Sequence, residues 1–259
     1  MRSERFEAVA LRALIWDVDG TIAETERDGH LPAFNEAFAE LGLAWRWDQA
    51  EYGELLHITG GRERLLHDML RRADAPTDAA AREALARELH RRKNLAYAER
   101  VRQGRIKARP GVLRLVAECQ AAGVALAVAT TTSRSNLQAL CAALWGADWP
   151  QVFSVAVCGE DVPLKKPHPQ AYLLALQRLG VDARQAFALE DSPAGLRAAC
   201  AADLACGITR SMWFADAAFA GAAWVRDDLD SPAPMTLAQL QATPGGTIAP
   251  SSNPGCPLP

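Results

Sequence analysis

The 259-residue sequence predicts an α/β fold: a doubly wound, mainly parallel sheet with a helical unit inserted after its first strand. Three observations predict it. The strand candidates are almost wholly apolar, as in VALAVA at 124–129 and AFAL at 186–189, which suits strands covered on both faces. From about residue 112 onward these runs alternate with helical patterns. Between residues 24 and 108 that alternation stops and only helical spacing is found.

The first strand ends at Leu14-Ile15-Trp16. HLPAFNEAFAELG then places Phe34, Ala37, Phe38 and Leu41 at helical spacing, and Gly42 stops the helix. Two short helices are predicted at 47–56 and 62–70, and a long one rich in Ala, Leu, Arg and Glu at 78–101. Trp45 and Trp47 beside the short helices read as packing residues. The core rhythm follows: helix 112–122, strand 124–129, helix 136–144, strand 152–157, helix 169–179, strand 186–189, helix 194–202, then short strands at 204–208 and 222–225. The expected organisation is a core of residues 1–23 and 109–242, a helical cap of 24–108, and an irregular Pro- and Gly-rich tail of 243–259.

With 28 basic and 31 acidic side chains and a net charge of −3, nucleic acid is not an expected partner, although a local basic pocket for a phosphate ester is compatible. No apolar run reaches membrane-spanning length and the N-terminus lacks a secretory pattern, so no membrane partner is expected. Six cysteines without a close CxxC pair read as reduced core thiols, so a cytoplasmic protein is expected. A monomer is the expected state, with oligomerisation left open.

Polar residues cluster at the strand ends, where open α/β sheets carry their sites. Asp17 and Asp19 follow the first strand in LIWDVDGTIAETE. Asp17 could attack phosphorus while Asp19 moves a proton, or the stretch could be a capped turn. Thr130 and Thr131 follow the second strand and could hold phosphoryl oxygens, with Thr130 preferred as the nearer to the strand. Lys165 and Lys166 precede Pro167 after the third, where one ammonium could stabilise the attacking carboxylate. Glu190 and Asp191 end the fourth, and with Asp17 would suit Mg²⁺. A helix cap by Asp191 or Ser192 competes with that role. The order of nucleophile, hydroxyl, lysine and acids on successive strands is more informative than any member.

In that order these residues resemble the four motifs of the haloacid-dehalogenase superfamily of phosphohydrolases: Asp17-Val18-Asp19-Gly20-Thr21, Thr130, Lys166-Pro167 and Glu190-Asp191. The resemblance covers roughly residues 11–230. It implies that Asp17 forms an aspartyl-phosphate and touches Mg²⁺, and that Asp19 is the general acid/base. It also implies that Thr130 and Lys166 hold the phosphoryl group and that Asp191 binds the metal, with Glu190 binding directly or through water. The Val18 or Asp19 carbonyl would be a further metal ligand. The segments AETE, AFNEAF, TGGRER and KKP are similar to the CbbY-like branch, which includes xylulose-1,5-bisphosphate phosphatases. This similarity selects Lys166 over Lys165 and implies a helical cap closing over a phosphorylated sugar.

In the cap, Arg62 and Arg64 are candidates for a phosphate that is not removed. Two residues apart on a helix they would not share a face, and Arg62 is preferred. Glu24 and His30 could meet sugar hydroxyls, and Arg134 could reach substrate. The expected function is Mg²⁺-dependent hydrolysis of a sugar phosphate, with xylulose-1,5-bisphosphate as the first choice. The alternatives are a sugar-phosphate mutase of the β-phosphoglucomutase kind, a phosphoglycolate phosphatase, or a non-catalytic phosphate-binding regulator.

Overall fold

A computed structural model describes residues 10–243. Six strands form one sheet in the order β3-β2-β1-β4-β5-β6, and every neighbouring pair is parallel. They are β1 (Ala13–Trp16), β2 (Ala125–Ala129), β3 (Val155–Val157), β4 (Ala186–Glu190), β5 (Ala205–Thr209) and β6 (Trp224–Arg226). Side chains alternate across the strands. Leu14, Trp16, Leu126, Val128, Phe187 and Leu189 therefore enter one apolar layer, and Ala13, Ile15, Ala127, Ala129, Ala186 and Ala188 the other. The first layer packs on α5 (Val112–Ala121), α6 (Arg134–Trp145) and α10 (Leu237–Ala242). The second packs on α8 (Gln170–Leu179) and α9 (Pro193–Ala201), whose alanines fit the alanine-rich sheet face.

Predicted strand 152–157 divides in two. Trp149–Val152 is a helical turn, α7, with Pro150 suited to its first positions, and Phe153 then takes an extended conformation that leads into β3. The predicted tail starts at Thr243, the last described residue, so the remainder and Cys256 lie outside the described residues.

Between β1 and β2 the chain builds a π-helical turn (Glu26–His30), α1 (Leu31–Glu40), α2 (Gln49–Leu55), α3 (Gly61–Met69) and α4 (Ala79–Arg102). No residue from 24 to 108 joins the six-stranded sheet. Asp48 starts α2 through a capping box with Glu51, and Asp78 caps α4 at Ala81 N. This insert has its own aromatic core of Phe34, Phe38, Trp45, Trp47 and Tyr52. The indole N–H groups of Trp45 and Trp47 donate to Asp74 and Asp68 at 2.7 and 2.9 Å, so neither ring buries an unpaired donor. No helix among the described residues is long and apolar enough to cross a membrane.

The two linkers of the insert meet at one point. Ala23 bridges to Asp19 and to Ala108, and Arg109 N donates to Ile22 O at 2.8 Å. The buried Arg109 guanidinium then donates to the carbonyls of Gly20, Thr209, Arg210 and Asp227. One side chain thus ties the loop after β1 to the ends of β5 and β6. Replacing Arg109 with Leu strands those carbonyls inside the protein. The expected loss is about 3 kcal/mol of unfolding free energy in urea titration; a loss below about 0.5 kcal/mol would contradict the role.

Candidate active site

The parallel topology brings the carboxyl ends of β1, β2 and β4 side by side, and the acidic residues follow from that placement. Lys166 enters from the loop after β3. Its Nζ lies 2.6 Å from Asp17 Oδ1, 2.6 Å from Glu190 Oε1 and 2.8 Å from Ala129 O. Tyr172 on α8 donates to the same Glu190 oxygen at 2.6 Å. Burial lowers the Lys166 pKa, but Asp17 and Glu190 outweigh it and raise it. Lys165 faces elsewhere, with Nζ 3.3 Å from Gly159 O and 3.6 Å from Glu63 in the insert.

One ammonium does not balance the acids. Ligand oxygens of the buried Asp17, Glu190 and Asp191 lie within 4.8 Å of one another. Burial raises the pKa of Asp17; Lys166 opposes the rise, and Glu190 and Asp19 add to it. Burial, then Asp17 and Glu190, raises Asp191 likewise. A hard divalent cation fits this all-oxygen, net-negative cluster. The loop leaves it room: Gly20 has φ +86°, and a Cβ there would stand 2.1 Å from Asp191 Oδ2. Of the two backbone candidates, the Val18 carbonyl already accepts from the N–H groups of Thr21, Ile22 and Ala23. That favours the Asp19 carbonyl as the further oxygen.

Asp19 is held quite differently. Its Oδ1 accepts from Thr25 Oγ1 at 2.5 Å and sits 3.0 Å from His30 Nε2. Burial would raise its pKa, yet His30, Thr25 and Lys93 together hold it down at about 2. His30 reaches it from the π-helical turn and stacks on Tyr97 with centroids 4.3 Å apart. Gly29 permits this packing, since a Cβ there would stand 2.6 Å from Ile106 and 2.8 Å from Tyr97. Such turns recur at functional sites. His30 therefore contacts Asp19 directly and also lines the larger of two cavities above it.

Two neighbouring cavities of about 300 and 270 Å³ share Asp19 in their walls. The smaller contains Asp17, Lys166 and Asp191; the larger is walled by Arg62, Lys93, His90, Lys165, Ser133 and Asn136. Asp19, Glu26, Arg64 and Thr131 line both. Thr131 lines the cavities, while Thr130 lies buried at the end of β2 with its hydroxyl accepting from Thr132 N at 3.2 Å.

Of the two cap arginines, Arg62 has the more available guanidinium, 44% exposed and 3.4 Å from Glu83. Arg64 is buried and spent on Tyr52 Oη and the carbonyls of Leu55 and Ile58. Glu24 and Arg134 stand apart from both cavities. Glu24 turns to the linker, 3.5 Å from Arg109, and Arg134 pairs with Asp161 at 2.5 Å.

Sequence reasoning missed Lys93 and Glu26. Lys93 lies on the buried stripe of α4 with Ala86, Leu89, Tyr97 and Val101. Its ammonium faces the rings of Phe34 and Tyr97 at 5.0 and 5.6 Å, and burial lowers its pKa to about 8. A lysine interrupting an otherwise apolar stripe was the available signal. Burial, then Lys93, lowers neighbouring His90 to about 3, so the charge on this wall belongs to the lysine.

A family profile described as haloacid dehalogenase-like hydrolase matches residues 11–203. The chain is 46% identical over 227 residues to the plasmid-encoded protein CbbY of Cupriavidus necator, covering 86% of this chain and 87% of the relative. It superposes with a TM-score of 0.81 on an Asp-to-Asn variant of CbbY from Rhodobacter sphaeroides in complex with xylulose-1,5-bisphosphate. That match has 42% identity and covers 89% of this chain and 99% of the other. A phosphoglycolate phosphatase of Yersinia pseudotuberculosis is 32% identical over 208 residues, 77% of this chain and 82% of that protein.

The acid cluster dictates a linked dependence on pH and cation. Because Asp17 and Asp191 have raised pKa values when folded, their contribution to stability is fully present below the ordinary carboxylate range. It is lost as pH rises through the raised values. In chelator, the melting temperature should therefore fall across that window. At neutral pH, Mg²⁺ at a hundredfold excess over its dissociation constant should restore about 2.7 kcal/mol. Asp191→Asn should abolish the restoration; a melting curve indifferent to Mg²⁺ in the parent protein would contradict the metal fit.

Proposed function

Given that the chain belongs to the haloacid dehalogenase-like hydrolases, we propose that it is a Mg²⁺-dependent phosphatase acting on a phosphorylated sugar through an aspartyl-phosphate, with xylulose-1,5-bisphosphate as the substrate. The observation that carries this reading is the pair of neighbouring cavities with Asp19, Glu26, Arg64 and Thr131 in both walls. One holds the phosphoryl chemistry, and the other offers Arg62, Lys93 and Lys165 to a second anionic group.

The phosphoryl group enters the cavity of Asp17 and Lys166, with Thr131 on its wall and the Thr130 hydroxyl beneath. Asp17 attacks phosphorus. Its Oδ1 is held by Lys166, which also balances charge on the transferring group. Asp17, Asp191 and the Asp19 carbonyl, with Glu190 in support, would hold a Mg²⁺ ion, which would supply charge neutralisation for the nucleophile and phosphoryl oxygens.

Asp19 performs both proton transfers. In the free site it is a carboxylate fixed by Thr25 and His30. A phosphate anion arriving beside it raises its pKa, so proton uptake accompanies binding and the proton passes to the leaving oxygen. The carboxylate so regenerated then takes a proton from the water that attacks the aspartyl-phosphate. The helical insert acts as a cap that excludes bulk water, anchored in this closed arrangement by Thr59 Oγ1 donating to Lys166 O at 2.7 Å. The buried thiols of Cys119, Cys141 and Cys158, pushed up to about 12 by burial, suit a reducing cytoplasm.

A phosphate-release panel with product identification tests the reading. Xylulose-1,5-bisphosphate should exceed phosphoglycolate in kcat/KM. Arg62→Ala and Lys93→Ala should each raise KM for the bisphosphate about tenfold or more, the cost of a lost charge-assisted hydrogen bond. Isomer interconversion without net phosphate release would instead identify a mutase, and equal turnover of phosphoglycolate would contradict the sugar assignment.

A further inference from the structure

The two cavities extend over opposite halves of the sheet. The larger runs past Thr132 and Ser133 after β2 to Gly159 and Glu160 after β3. The smaller runs the other way, past Pro193, Ala194 and Arg197 after β4 to Trp213 and Phe214 after β5. Leu56 and His57, just past the end of α2, wall it from the cap. His57 and Arg197 are exposed, whereas Asp17, Lys166 and Asp191 are buried. The smaller cavity is therefore a passage from solvent to the acid cluster.

Aromatic contacts frame this passage where cap meets core. Tyr52 packs edge-on to Trp213 with centroids 5.7 Å apart, and His57 packs likewise on Phe214 at 6.4 Å. Together with the Thr59 hydrogen bond to Lys166 O they hold the cap in place beside the passage. Charge along it is ordered. Its carboxylates, Asp17, Asp19, Glu26 and Asp191, gather at the inner end, where Lys166 and Arg64 accompany them. Beyond them no acid lines the walls, and the charged group at the mouth is Arg197. That guanidinium makes no hydrogen bond or ion pair among the described residues. The outer passage thus attracts an anion and repels a cation.

We propose that the smaller cavity is a second portal, through which inorganic phosphate leaves under the pull of Arg197 while the sugar product departs through the larger one. This rests on the phosphatase reading and adds to it an exit route with a residue that serves it. Hydrolysed phosphate then leaves without the cap lifting from the core.

The test preloads the protein with Mg²⁺ and inorganic phosphate and mixes it with excess fluorescent phosphate sensor, so the release rate is read without any ester. Ala194→Trp narrows the passage and should slow release about tenfold or more. A narrowed passage slows entry equally, so the dissociation constant for phosphate should stay at the parent value. Glu160→Trp, at the mouth of the larger cavity, should leave the release rate unchanged. Arg197→Glu should slow release about tenfold at low ionic strength, and about 1 M salt should erase most of that difference. Arg197→Lys should match the parent. Equal slowing by Glu160→Trp and Ala194→Trp would put the exit in the larger cavity and overturn the inference. So would a parent-like rate in Ala194→Trp, or a slower release matched by an equally tighter dissociation constant, the mark of a binding contact. Because no ester is used, failure to hydrolyse xylulose-1,5-bisphosphate would count only against the sugar reading. A parent protein that takes up no phosphate would sink both.

Discussion

The site depends on the Lys166 ammonium, clasped at 2.6 Å by both Asp17 and Glu190. Each carboxylate comes from the end of a different strand, and the third contact, Ala129 O, comes from the end of another. Without that cation, adjacent parallel strands would deliver buried acids into one another's field, at a cost of several kcal/mol per unpaired charge. With it, the cluster is under-neutralised by an amount that invites a metal ion. The same contact directs Asp17 Oδ1, so neutralisation and orientation of the proposed nucleophile are one interaction.

The two aspartates are separated in role by what surrounds them. Asp17 belongs to the core, and its side-chain hydrogen-bond partners among the described residues, Lys166 and Thr21, are core residues too. Asp19 is held by Thr25 and His30, which lie at the entry to the helical insert. Arg109 links the halves, because it fixes the Gly20 carbonyl between the acidic loop and the linker. A change in the pose of the insert therefore acts on Asp19, the proposed proton-transfer group, before it acts on Asp17, the proposed nucleophile.

Much of this was legible in the residues. Wholly apolar strands required a sheet covered on both faces, and polar residues at successive strand ends marked where chemistry would gather. The rest was set by local geometry that periodicity does not encode. In AETE, Glu24 and Glu26 are equivalent by spacing, but the Ala23–Ala108 bridge turns one to Arg109 while the π-helical turn carries the other into the cavity. Thr130 and Thr131 differ in the same way, since one step along a strand end reverses the side chain's face. Lys93 was visible as a charge on an apolar stripe, yet only the packing of α4 over the core shows that the stripe also walls a cavity.

The central claim is that Asp17 carries the phosphoryl group between ester and water. Asp19→Asn removes the base needed for the second step, while p-nitrophenyl phosphate has a leaving group that needs no acid for the first. Mixed with that ester and Mg²⁺ and then quenched, the variant should carry the mass of one phosphoryl group on the peptide containing Asp17. An unmodified Asp17 peptide under conditions where the ester is being consumed, or the added mass on another residue, would contradict the account.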